Sequence, residues 1–279
     1  MLIHGYSTSS YDFAGLAQNL STDHYVCALD TPGYGYSDKP RNGYAYSIFD
    51  DAQLVDYYIR EIAHLKEFTL VTHDKGDSVG LGLLKIYQGY PTKPYTIQQH
   101  FITNGNLYLP LAQLASGQKL LLNPLSGPIL STLMDGTQIA QGMAGTTYTP
   151  TLPASETQAM ASIFDYQGGI RVEHAIIHYL DDRKINEVTR LETLGRSDIP
   201  TTLIWGEQDK IAPTAMPILS GLTISKIVPF PPPIADSCAN HYIQVDQLKA
   251  LAAIIRATPF SESVSIKITD ANCQPFKVK

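Results

Sequence analysis

A chain of 279 residues, 44% hydrophobic and 16% charged, has ample apolar material for one large domain and does not have the composition of a disordered protein. Its net charge of −6 gives no basic surface for nucleic acid. No apolar run approaches the roughly 18 to 20 residues that span a bilayer, and no signal-peptide pattern opens the chain, so a cytoplasmic protein acting on a small molecule is expected.

Leu2-Ile3-His4-Gly5 is a short apolar run ending in glycine, a strand that feeds a turn. A second strand, "YVCAL" (25–29), runs into "DTPGYGYSDKP", which is dense in turn formers. Apolar residues from Ile48 to Phe68 recur at helical spacing. "FTLVTH" (68–73) is a third strand, followed at once by a tight turn and an apolar helix to about Tyr87. "YTIQQHFIT" (95–103), "TTLIWG" (201–206) and "SKIVPF" (225–230) are a fourth, fifth and sixth strand, and a last helix is predicted from about Ile243 to Ile255.

Strands alternating with helices predict an α/β fold with a mostly parallel, doubly wound sheet. Between strands four and five, residues 107–196 have helical periodicity and no strand signal. That is too long for a crossover. It reads as a helical cap inserted over the carboxyl edge of the sheet, where ligands of such sheets bind. Residues 1–106 and 197–258 then form the core, and 259–279 a tail without an assigned role. Three cysteines, Cys27, Cys238 and Cys273, show no C-x-x-C spacing and read as free thiols in a reducing compartment. The eight histidines are scattered, so neither a metal nor another cofactor is expected.

The stretch "VTHDKGDSVG" (71–80) offers two nucleophiles. Gly76-Asp77-Ser78-Val79-Gly80 fits G-x-S-x-G, which would make Ser78 the attacking residue of a serine esterase. A nucleophile elbow, however, follows directly on a buried strand, with small residues two before and two after the nucleophile. The strand "FTLV" ends near Val71, which puts Asp74 on the turn, between Thr72 and Gly76, and Ser78 in the first turn of the helix. Thr72 is larger than glycine and should strain the elbow. Asp74 is the favoured nucleophile.

"LIHGYSTSSYDF", "LDTPGYGYSDKP", "VTHDKGDSV", "IWGEQDKIAP" and "NHYIQVD", in this order over residues 2–256, resemble the α/β-hydrolase fold, in the branch of epoxide hydrolases, haloalkane dehalogenases and mesoderm-specific-transcript-like proteins. "GGIRVEHAIIHYLDDRKINEVTRLETL" in the cap is similar to the last group. By that resemblance the first strands of the fold have no counterpart ahead of residue 2. It also implies Asp74 as nucleophile, Asp209 as acid and His241 as base, with the backbone N–H groups of Tyr6 and Lys75 as oxyanion hole. A carboxylate nucleophile displaces at an sp³ carbon to leave an ester, which histidine-activated water cleaves.

Dehalogenases of this branch hold halide with a tryptophan after the nucleophile and an Asn or Trp after the His-Gly pair, where this chain has Lys75 and Tyr6. Trp205 lies within the fifth strand and is expected in the core. The ammonium of Lys75 would lower the pKa of Asp74 and attract anionic substrates. Epoxide hydrolases polarise the ring oxygen with cap tyrosines, for which Tyr108, Tyr148, Tyr166 and Tyr179 are available; they also usually carry proline where this chain has Ser7. Epoxide hydrolysis of a small apolar substrate is the leading expectation, with a dehalogenase, a serine esterase and a catalytically inactive homologue as alternatives.

Overall fold

The computed structural model describes residues 1–41, 43–149, 151–216, 234–236 and 238–257. Among them a six-stranded, wholly parallel sheet runs in the order β2-β1-β3-β4-β5-β6, with β1 Leu2–Ile3, β2 Ala28–Leu29, β3 Glu67–His73, β4 Thr96–Thr103, β5 Thr201–Gly206 and β6 Ile234–Asp236. The strand expected over 225–230 lies outside the described residues; the strand paired with β5 is Ile234–Asp236. The tail, 259–279, also lies outside them.

The sheet is covered on both faces, which is why its strands read as nearly continuous apolar runs. Alternate residues divide between two cores. Ile3, Leu70, Ile102, Leu203 and Trp205 face one cluster, while Leu2, Val71, Phe101 and Ile204 face the other. Helices α2 (Ile48–Tyr57) and α3 (Lys75–Gly89) pack together over the first face. On the second face α1 (Ala14–Leu20) packs against the terminal helices, Ile243–Asp246 and Leu248–Ala257.

Ser47 caps α2 by accepting from the backbone N–H of Asp50 at 3.0 Å, and Asp50 and Asp51 in the first turn complement the helix dipole. The helix continues as a wider π-turn only to Ile62, short of Phe68. His64, at φ 50°, reverses the chain, and Phe68 pairs with Ile97 in the sheet. The last helix is likewise broken, at Gln247, whose φ of −132° is not helical.

The chain runs from β1 outward to β2 and returns to the other side of β1 as β3. The carboxyl ends of β1 and β3 therefore flank a topological switch point, the place where open α/β sheets form their crevice. Between β4 and β5 the described residues form helices and turns and contain no strand, from Leu109–Leu111 through α4 (Ser116–Leu122), α5 (Ser126–Leu133), α6 (Gly136–Ala144), α7 (Ala154–Asp165), α8 (Glu173–Ile176), α9 (Tyr179–Ile185) and α10 (Glu187–Gly195). Bonds tie this insert to the core: Asp182 Oδ2 accepts from Ile48 N at 2.9 Å, and Tyr11 donates its hydroxyl to Glu156 at 2.9 Å.

The cysteines differ from expectation. Cys27 is a buried free thiol, but Cys238 is disulfide-bonded, and Cys273 lies outside the described residues. Cysteine usage therefore no longer argues for a reducing compartment.

Candidate active site

Asp74 stands alone between β3, which ends at His73, and α3, which begins at Lys75. Its φ of 51° and ψ of −114° lie outside the ordinary regions for a side-chain-bearing residue, a conformation that costs about 1–3 kcal/mol and persists only where surroundings enforce it. The surroundings here are backbone. A Cβ on Gly76 would lie 2.4 Å from the Ile3 carbonyl oxygen, and one on Gly5 would lie 2.6 Å from the Asp74 Cβ. The two glycines let the loop after β1 and the turn after β3 close on each other. Thr72 is held beside this turn: its hydroxyl donates to Asp77 and pairs with His100 Nε2 at 2.9 Å, and its methyl occupies space that a Cβ on Gly80 would contest at 2.8 Å.

Three of the expected site residues come together. Asp74 Oδ1 accepts from the backbone N–H of Tyr6 at 2.9 Å, and Asp74 Oδ2 lies 3.7 Å from His241 Nε2. His241 Nδ1 donates to Asp209 Oδ2 at 2.8 Å. Asp209 is fixed by its remaining acceptors: Oδ1 takes the N–H groups of Ile211 and Ala212 at 2.8 and 3.0 Å, and Oδ2 also accepts from Asn104 Nδ2 at 2.8 Å. Asp74, Asp209 and His241 are 3%, 4% and 2% exposed, so their charges interact with little screening from water.

The electrostatics follow from this enclosure. Burial alone would push the Asp74 carboxyl up, but Arg183, then His241, His73 and the Tyr6 N–H, hold it below its ordinary value. Burial would likewise discharge His241, yet Asp209 and then Asp74 outweigh it and raise the imidazolium to about 9. His73, beside it, is pushed down to about 4 chiefly by burial; as a neutral ring it donates from Nε2 to the His241 carbonyl at 2.9 Å.

Lys75 does not play the part expected of its side chain. It is fully buried, ion-paired with Asp51 of α2, and lies 4.5 Å from the Tyr34 ring centroid. The cation acting most strongly on Asp74 is instead Arg183 of α9, which lies in the cap stretch similar to mesoderm-specific-transcript-like proteins but was not predicted there as a site residue. Its Nη2 donates to the Asp74 backbone carbonyl at 3.2 Å and its Nε to Ser78 Oγ at 3.0 Å. Ser78, the fourth residue of α3, thus has its hydroxyl engaged by the insert.

Of the four tyrosines, Tyr179 is the one at the site: buried, 5.4 Å from the Tyr6 ring, and near enough to Asp74 and Arg183 for both charges to act on it. Tyr148 stacks on Tyr242 at 4.4 Å, Tyr166 packs on Tyr36 at 5.0 Å, and Tyr108 borders the core. Trp205 is in the core as expected, donating Nε1–H to the Ala212 carbonyl at 2.7 Å. Asn104 was not legible in the sequence beyond a turn after β4; its φ of 48° and its bonds to Asp209 and to Gly206 N (3.2 Å) make it part of the acid's support.

Among the described residues no group of three or more His, Cys, Asp or Glu side chains is arranged to hold a metal ion, and no helix is long and apolar enough to cross a membrane.

An elbow aspartate, a histidine at the sheet's carboxyl edge and a carboxylate behind it, on this strand order, mark the chain as a member of the α/β-hydrolase family, to which it belongs. The family's sequence profile, described as the α/β hydrolase fold, matches residues 1–81. The Mycobacterium tuberculosis protein LipZ is 33% identical over 258 residues, covering 90% of this chain and 85% of the relative. The human mesoderm-specific transcript homolog protein is 31% identical over 222 residues, 76% of this chain and 64% of that protein. In three dimensions the chain resembles haloalkane dehalogenase DbeA from Bradyrhizobium elkani, with a TM-score of 0.73 and 18% identity, covering 91% of this chain and 87% of the other. At that identity the likeness concerns the fold.

Proposed function

We propose that this α/β-hydrolase attacks a small, largely apolar substrate with the carboxylate of Asp74, forming a covalent ester that water then cleaves, and that residues 107–196 serve as a cap over the site. The observation that carries this reading is the partner of each candidate nucleophile. Asp74, on the strained turn, faces His241 at 3.7 Å, whereas the Ser78 hydroxyl accepts from Arg183. Asp74 is ionised without a general base, and its position against the Tyr6 N–H leaves Oδ2 turned to the histidine.

Between two carboxylates, His241 is charged at neutral pH and cannot act as a base. Esterification of Asp74 removes one of those charges. The imidazolium then loses part of its stabilisation, releases its proton, and becomes competent to activate water against the ester carbonyl. Asp209, held by four donors, keeps Nδ1 protonated and Nε2 available. The backbone N–H groups of Tyr6 and Lys75 are assigned to the oxyanion of that second step.

An oxygen leaving group, as in an epoxide, suits this site better than a halide. The two positions that hold halide in dehalogenases are Lys75, whose ammonium is committed to Asp51, and Tyr6; Trp205 is committed to the core. Turnover in ¹⁸O-labelled water tests the mechanism. Label should enter the peptide containing Asp74, and His241→Gln should accumulate an adduct on that same peptide. Label confined to product, with Ser78→Ala inactive and Asp74→Ala active, would make the protein a serine hydrolase.

A further inference from the structure

Glu173, the first residue of α8, is a carboxyl that the ester mechanism leaves without a role. It is 3% exposed, and no basic side chain forms an ion pair with it among the described residues. The Tyr6 phenol is its hydrogen-bonding neighbour, while its Oε2 is buried and has no hydrogen-bond partner. A buried carboxylate lacking a partner is costly, so the group takes the neutral form: burial pushes it up to about 8, against the opposing pull of Tyr6, Lys75 and Lys39. With Tyr6 donating to one oxygen, the other is left free to carry the acid proton.

Glu173 also lines a small cleft with Ser7, Thr8, Tyr34, Ile163 and Phe164. Tyr6 joins the two halves of the site, its N–H on Asp74 Oδ1 and its phenol beside Glu173. Tyr179, against the Tyr6 ring, feels the charge of both Asp74 and Glu173. Nucleophile and neutral acid are thus linked through one residue, the Tyr6 N–H on the carboxylate of the one and the Tyr6 phenol beside the other.

We infer that Glu173 is the general acid of this site, giving its proton to the oxygen that departs from carbon when Asp74 attacks, and so selecting substrates with a basic oxygen leaving group, such as strained cyclic ethers. The inference rests on Asp74 being the nucleophile. In the step, an Asp74 oxygen forms a bond to carbon as the carbon–oxygen bond of the ring breaks. The ring oxygen keeps the electron pair and takes the Glu173 proton, leaving an ester at Asp74, a hydroxyl on the adduct and a carboxylate at Glu173. Hydrolysis of the ester consumes one water and regenerates the Asp74 carboxylate. The proton it releases restores Glu173.

The test is single-turnover adduct formation at Asp74, followed by peptide mass in a His241→Gln background, with styrene oxide and benzyl bromide as probes. Bromide departs without a proton, whereas the epoxide oxygen needs one. Adding Glu173→Gln should slow esterification by styrene oxide on the order of a hundredfold, the scale of lost general acid catalysis, and leave benzyl bromide within about threefold. With Glu173 intact, the epoxide rate should fall as pH rises through about 8, where the acid loses its proton; Glu173→Gln should abolish that decline. Tyr6, Tyr34, Tyr46, Tyr179, Lys39 and Lys75 surround Glu173, but the four tyrosines are all held above their ordinary range, so none supplies a limb there. Equal slowing of both probes, no slowing of the epoxide, a pH profile unchanged by the substitution, or reaction with bromide alone would overturn the role of Glu173 while leaving the Asp74 mechanism intact. If neither probe marks Asp74 with Glu173 intact, the nucleophile assignment itself fails.

Discussion

His241 holds its proton chiefly because Asp209 and Asp74 face it, with Asp12 adding to them, and each carboxylate can be removed separately. Its ring resonances should titrate near 9 in the resting protein. Replacing Asp74 with Asn should lower that value by about one pH unit or more, since an amide occupies the place of the nearer anion on Nε2. An unchanged titration would mean that Asp209 and Asp12 set the charge without Asp74, and that ester formation could not switch the base. The sign for stability follows from the same contacts. A raised histidine pKa contributes stability that is complete below its unfolded value near 6.5 and is lost as pH climbs through about 9. The lowered Asp74 carboxyl contributes above its unfolded value near 3.9, and that share is lost on acidification. Gly76 belongs at this scale too. Gly76→Ala sets a methyl against the Ile3 carbonyl, and the thermal midpoint should fall in step with a loss of roughly 1–3 kcal/mol, the cost of overpacking.

Helices fix what the single residues can do, and here sequence reading reached its limit. Asp74, Asp209 and His241 were legible because each follows a strand within a short local motif. The direction of the Lys75 side chain was not, since it depends on Asp51, 24 positions earlier in α2. Lys75→Met should strand a buried carboxylate between α2 and α3 and cost about 3–5 kcal/mol. Adding Asp51→Leu should restore much of that loss, and denaturant midpoints of the two variants distinguish this from a catalytic effect of the lysine. Arg183 was equally illegible: its partners lie 105 and 109 residues away, at Ser78 and Asp74. Arg183→Met should raise the carboxyl of Asp74, visible as an acid limb of the esterification rate displaced to higher pH. Ser78→Ala should keep that limb in place and retain most turnover.

For the whole molecule, strand and helix alternation sufficed to anticipate a parallel sheet with an insert, because the buried strands carry their own apolar signal. The position of β6 and the break at Gln247 were not recoverable, since short segments near the carboxyl edge are set by tertiary pairing rather than by local preference. One property belongs to neither residue nor element. Asp74 is nearly sealed from water, and Arg183 of α9 donates to its backbone carbonyl, so a ligand reaches the carboxylate only when this enclosure opens. We predict that the resting protein is the closed member of a pair of forms, and that ligands of every kind wait for the same opening. Apparent affinity is diluted by the open fraction, identically for ligands of different size. In stopped flow, association rates measured at rising concentration should bend toward one shared ceiling for all of them, the frequency at which α9 lets go.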